Sequence, residues 1–93
     1  MRLTWDEAKR GANIEKHGID FAAAEAFEWT SAIVVDDTRR QYGERRRIAL
    51  GLIGASLHSL VYTRRAGMVR VISLRLASRK ERKGYEDAKA NPA

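Results

Sequence analysis

Cysteine is absent from the 93-residue chain, which removes disulfides, thiolate metal sites and cysteine nucleophiles together. That absence fits a reducing compartment, and a cytoplasmic location is expected. Proline occurs once, and no Pro- or Ser-rich linker divides the chain. No apolar run approaches the roughly 18–20 residues needed to cross a bilayer. Met1-Arg2-Leu3-Thr4 is followed at once by charge, so neither a membrane span nor a secretory signal is expected. Repeats and low-complexity stretches are lacking too, which leaves Gly, Asn, Asp and capping residues as punctuation. What remains is 44% hydrophobic, enough for one modest core and too little for two. The expectation is a single domain over residues 1–93, with the last few residues flexible.

Charge is distributed unevenly. The chain has 18 Lys+Arg against 12 Asp+Glu, net +6. Residues 1–37 hold four basic and eight acidic side chains, net −4, whereas residues 38–93 hold fourteen and four, net +10. Eleven of those fourteen cations are arginine, whose planar fork suits phosphate and stacks on bases. Nucleic acid is the leading partner class. A solubilising surface, or a docking face for an acidic protein, would give the same balance.

Leu3-Thr4-Trp5 reads as a short strand or extended lead-in. Asp6 then caps a helix running to His17, and Gly18 closes it in the left-handed conformation. Asp20 caps a second helix in which Phe21, Ala24 and Phe27 recur. From Ala32 the period changes: Ile33-Val34-Val35 is β-branched, and strands are predicted over 45–53, 57–64 and 68–77, joined at Gly54-Ala55 and Ala66-Gly67. With two-residue turns, one sheet face carries Ile48, Leu50, Leu52, Leu57, Val61, Ile72, Leu74 and Leu76, with Arg70 intruding, and is expected to cover the helices. The opposite face would carry Arg45, Arg47, Ala49, Gly51, His58, Leu60, Tyr62, Arg64, Val69, Val71, Ser73 and Arg75 as an open polar surface. Ser78-Arg79-Lys80-Glu81 fits a capping box that starts a final, basic helix with little to bury beyond Tyr85 and Ala88. The fold class is therefore α+β: an antiparallel sheet of about four strands, two N-terminal helices and one C-terminal helix.

Specific strings then resemble a known family. Trp5-Asp6-Glu7-x-Lys9, Asn13, Lys16-His17-Gly18-Ile19-x-Phe21 and Phe27 are similar to the opening signature of BrnT, toxins of bacterial type II toxin–antitoxin pairs. Tyr42-Gly43-Glu44-x-Arg46, Gly51, Val61-Tyr62-Thr63-x-Arg65, Arg70-Val71-Ile72-Ser73-x-Arg75-x-Ala77 and Glu81-Arg82-x-x-Tyr85 follow in the family's order. The chain departs from the pattern at Trp29-Thr30 and at His58-Ser59, where a strand is usually apolar. The resemblance implies a RelE-like ribonuclease fold and a toxin that cleaves RNA and arrests growth. It further implies neutralisation by a cognate BrnA-like antitoxin with a ribbon-helix-helix domain, whose complex with the toxin binds operator DNA. No membrane partner and no cofactor are implied.

Metal-independent RNA cleavage needs a base for the 2′-hydroxyl, charge stabilisation at phosphorus and a proton for the leaving oxygen. His17 is the titrating candidate, with Lys16 beside it and Glu44 as a carboxylate alternative. Position at a helix C-terminus also explains Lys16 and His17 through the dipole, and Glu44 also suits neutralisation of Arg45-Arg46-Arg47. Arg75 leads for phosphate stabilisation, expected opposite His58 in the hairpin, with Arg65 and Arg79 next. First-turn amides of the Ser78 helix are a further anion candidate. RNA contacts are expected from Arg45, Arg47, Arg64 and Arg82, with Tyr62 and Tyr85 as base-stacking rings or partial core. Two histidines and no cysteine give no zinc pattern, and no Gly-rich phosphate loop is present. The rival to a nuclease is a non-catalytic module that uses the same basic face to hold nucleic acid or an antitoxin.

Overall fold

The computed structural model describes residues 2–90; the expected flexible C-terminal residues lie outside that span. β1 (Leu3–Trp5) leads into α1 (Glu7–His17). Asp6 starts the helix by accepting from the Lys9 N–H at 3.0 Å, and Gly18, at φ +70°, donates to the Ile14 carbonyl at 2.7 Å. Asp20 accepts from the Ala22 N–H, as a cap should, but Phe21–Ala26 is a 3₁₀ helix and not the expected second α-helix. The spacing accounts for this. Phe21, Ala24 and Phe27 lie three residues apart, and at three residues per turn such side chains eclipse in one row. All three are buried.

β2 (Ile33–Asp36), β3 (Arg47–Ile53), β4 (Ser56–Arg65) and β5 (Met68–Leu76) follow, then α2 (Arg79–Ala90). The sheet has five strands in the order β1-β5-β4-β3-β2. The expected count of about four is short by the lead-in, which pairs parallel to β5 with Leu3 opposite Val69. Neighbours among β2 to β5 are antiparallel. Both predicted turns form, and Ala66 and Gly67 take φ of +50° and +77°, the pair of positive values that a tight hairpin turn with the sheet's twist requires.

The expected assignment of faces is reversed over β3, β4 and the first part of β5. Ala49, Leu60, Tyr62, Val69 and Val71, all expected on the open face, form the core with Phe21, Ala24 and Phe27, and Leu74 joins them there as expected. Gly51 faces the core as well: a Cβ there would stand 2.4 Å from Phe27 Cζ, so the Phe27 ring occupies the space glycine leaves. Trp29 is no stray departure, since it packs edge-on to Phe27 at 4.8 Å and to Tyr62 at 5.2 Å between ring centroids.

A bulge adjusts β5. Tyr62 pairs with Val71 and Val61 with Ser73, leaving Ile72 as an extra residue. Beyond it Leu74 turns to the core while Ser73 and Arg75 join Val61, Ile48 and Ser59 on the opposite face. Asn13 of α1 docks on this stretch, donating to the carbonyls of Leu74 at 2.7 Å and Ile19 at 2.9 Å and accepting from the Leu74 N–H. α2 buries no residue; its Tyr85 hydroxyl donates to the Ser31 carbonyl at 3.1 Å. Among the described residues no helix is long and apolar enough to cross a membrane.

Candidate active site

The sheet face opposite the 3₁₀ helix carries a hollow of about 570 Å³. Its floor is Ile48, Ser59, Val61, Ile72 and Ser73. The segment between β2 and β3 supplies Arg39, Arg40, Tyr42 and Arg46 on one side, and Arg75 and Glu81 close the other. A second depression, about 210 Å³, lies between α1 and β5 and contains Lys16 and His17. The two share Ile72 and Ser73. The β5 bulge therefore sits where the depressions meet.

Three of the four arginines in the large hollow are each held by a different carboxylate. Arg75 donates from both terminal nitrogens to Glu81, at 2.8 and 2.9 Å, while the Ser78 N–H donates to the same carboxylate at 2.8 Å. The guanidinium holds the Glu81 carboxyl down to about 2. Arg39 makes two 2.8 Å bonds to Asp37, whose side chain is fully buried and whose carboxyl is held well below the ordinary range chiefly by that contact. Arg46 lies over the Tyr42 ring, 4.1 Å from its centroid, and donates to Glu44 at 3.2 Å. Four arginines thus line the hollow, three of them ion-paired, to Glu81, Asp37 and Glu44.

Beside it, His17 is half-buried, and burial, then the charges of Lys16 and Arg75, push its imidazole below the usual 6.5. At neutral pH the ring is uncharged and able to accept a proton. Among the described residues no three His, Cys, Asp or Glu side chains assemble into a group that could hold a metal ion.

The structure thus brings together Lys16, His17 and Arg75, and separates the other expected residues from them. Arg75 pairs across the hairpin with Ser59, not with His58. His58 is buried opposite Leu76, its Nδ1 2.9 Å from the Ser56 carbonyl. Tyr62 is only 2% exposed, a core ring against Trp29 and no platform for a base. Glu44 is gripped by Arg65 at 2.8 Å as well as by Arg46 and is held low mainly by Arg65; a carboxylate tied to two guanidiniums is a poor base. Arg45 and Arg47 lean on Asp36, at 3.1 and 3.8 Å. Arg64 is exposed at the end of β4 and Arg79 at the start of α2. Arg82 donates to the Ala77 carbonyl, and Tyr85 is engaged with Ser31 and Lys89. Of the first-turn amides of α2, the Glu81 N–H donates to the Ser78 hydroxyl, and the Glu81 carboxylate, which takes the Ser78 N–H, puts a negative charge at the same helix start.

Sequence reasoning missed Arg39, Arg40, Tyr42, Arg46, Ser59 and Glu81 as lining groups. A signal existed in the Arg39-Arg40 doublet ahead of Tyr42-Gly43, but its segment has no regular structure, and alternation cannot place it on a face.

Residues 5–81 match the family model described as ribonuclease toxin, BrnT, of type II toxin-antitoxin system. The chain belongs to the BrnT family. A solved structure agrees: the 1.1 Å crystal structure of the Brucella abortus ribonuclease toxin BrnT is 35% identical, with a TM-score of 0.65, over 85% of this chain and 99% of that one. No curated protein matched the chain. BrnT proteins are ribonuclease toxins of toxin–antitoxin systems, so an antitoxin partner and an RNA target come with the family.

Proposed function

We propose that this BrnT-family chain is a metal-independent endoribonuclease on a RelE-like frame, and that the arginine-lined hollow and the His17 depression form one active site. One observation carries the reading: the two depressions meet at Ile72 and Ser73, so a phosphate gripped by Arg75 has an uncharged imidazole on its flank. His17 takes the 2′-hydroxyl proton as that oxygen attacks phosphorus. The bond from phosphorus to the 5′-oxygen breaks, and the leaving oxygen receives its proton from Lys16 or solvent. A 2′,3′-cyclic phosphate and a 5′-hydroxyl result. Negative charge growing on the phosphoryl oxygens is met by Arg75, Arg39 and Arg40, which are in place before the reaction starts.

The toxin would arrest growth by this cleavage and be neutralised by a ribbon-helix-helix antitoxin, whose complex with it binds operator DNA. A partner that binds only the folded form adds stability by mass action, which suits a chain whose last helix buries nothing. The test is incubation of wild type, His17→Ala and Arg75→Ala with single-stranded RNA in EDTA, with product ends identified. Cleavage to cyclic phosphate by wild type, lost in both variants, is expected. An inert wild type that still binds RNA would replace the nuclease by the non-cleaving module.

A further inference from the structure

Tyr42 has a ring that the catalytic reading leaves unused. It sits in the segment between β2 and β3, which the Asp37 N–H closes by donating to the Arg46 carbonyl at 2.8 Å. Its hydroxyl donates to Asp37 Oδ2 at 3.1 Å, and the buried Asp37 carboxylate is also clamped by Arg39. The Arg46 guanidinium covers the ring at 4.1 Å from its centroid. The hydroxyl is accounted for as a brace. The aromatic body is not, because it is only half-buried and lines the same hollow as Arg75.

Planar rings braced at one end and backed by a guanidinium are what unstacked bases rest on, since every base has a π-face and both tyrosine and arginine present flat, polarisable surfaces to it. The setting excludes the usual alternative for such a ring: Tyr42 is absent from the core cluster that holds Tyr62, Phe27 and Phe21. A base reaching Tyr42 while its phosphate lies on Arg75 must be splayed out of any helix, because a paired and stacked base exposes no face.

We infer that Tyr42, backed by Arg46, is a seat for a nucleobase next to the scissile phosphate, and that the substrate is therefore single-stranded RNA with an unpaired base at that position. The inference rests on the hollow's being the RNA site and deepens it by one subsite.

The test uses short RNAs carrying one 2-aminopurine beside a single 2′-deoxy linkage, which cannot be cleaved by 2′-oxygen attack, and the same strands with an abasic residue in its place. Stacking on Tyr42 should quench the 2-aminopurine of the bound strand. Tyr42→Leu should abolish that quenching and weaken binding roughly ten- to a hundredfold, with no change for the abasic strand. Tyr42→Phe, which keeps the ring and loses only the bond to Asp37, should still quench. Thermal melting of each variant reports folding separately. Equal quenching by wild type and Tyr42→Leu would overturn the seat, and so would equal loss of abasic and base-bearing strands. Cleavage of the all-ribo strand by wild type is read in parallel, so that failure of the ribonuclease reading is distinguished from failure of the seat.

Discussion

Arg75 and Glu81 face each other across the junction of β5 and α2 in a two-pronged ion pair, 2.8 and 2.9 Å long. The carboxylate takes two of the guanidinium's five donors and fixes the plane of the fork, and Nη1 also donates to the Leu76 carbonyl at 3.2 Å, so two donors are left. Glu81 is in turn fixed by the Ser78 N–H, so a helix cap orients the anion-binding group. Arg75→Ala should lower RNA cleavage about 10²–10³-fold, as for loss of one preorganised donor. Glu81→Gln leaves the arginine but frees its rotation, and should cost less in kcat than Arg75→Ala while lowering the melting temperature at neutral pH, where the ion pair's stabilisation is fully present. Single-turnover cleavage rates beside thermal melts measure both.

The same pair makes stability depend on acid. Glu81 titrates near 2 in the folded protein against 4.5 when free, because Arg75 bonds to its ionised form. The folded value is the lower one, so the stabilisation is present in full above about 4.5 and is lost as pH falls through about 2. The denaturation midpoint of wild type should drop more steeply between pH 5 and pH 2.5 than that of Glu81→Gln. Asp20, also held near 2 by Arg10, contributes equally to both proteins and cancels in the difference.

His17 gives a pH dependence of another kind. If its uncharged ring accepts the 2′-hydroxyl proton, cleavage should stay level below pH 6.5 and fall only at the lowered value of the imidazole. Lys16 is one cause of the lowering. Lys16→Ala should therefore move the acid limb of the rate profile upward in pH, whatever it does to the plateau. A limb that stays in place would remove His17 as the titrating base.

Caps, turns and strand spans were legible because each depends on a few neighbouring residues: Asp6, Gly18, Asp20, Gly67 and the Ser78–Glu81 box act as their types require, while Ala66 takes φ +50° against its type. The sheet's facing was not. Hydropathy favours burying Ile48, Leu50 and Val61 over Ala49 and Gly51, yet the small residues lie beneath the aromatic row of Phe21, Phe27 and Trp29, which supplies the volume instead. Ser73 and Arg75 were placed on the open face for an incorrect reason, since the bulge at Ile72 shifts them relative to β4. Two such errors cancelled at Arg75 and did not cancel at Tyr62. The Arg39–Arg46 wall depends on a closed loop and a buried Asp37, contacts for which sequence has no period.

Gly51 tests the revised facing directly. The expected open face would tolerate alanine there, whereas a Cβ 2.4 Å from Phe27 Cζ forces the ring or strand to move. Overpacking of this kind costs roughly 1–3 kcal/mol. Gly51→Ala should lower unfolding free energy by about that much in chemical denaturation, and Phe27→Leu in the same chain should recover part of it.

Asn13 supports the site from behind. Its amide bonds both backbone groups of Leu74 and the Ile19 carbonyl, serving as a one-residue strand partner to β5 next to the bulge while tying down the helix that carries Lys16 and His17. At 7% exposure water replaces these bonds poorly, and each buried group left unpaired costs about 1–3 kcal/mol. Asn13→Ala should therefore destabilise by more than loss of the α1 cap in Asp6→Ala, which is worth about 1 kcal/mol. Amide hydrogen exchange separates the two effects: the Leu74 N–H should be protected in wild type and in Asp6→Ala, and should exchange quickly in Asn13→Ala. Cleavage should fall in Asn13→Ala even well below its melting temperature, because His17 then lacks a fixed distance to Arg75.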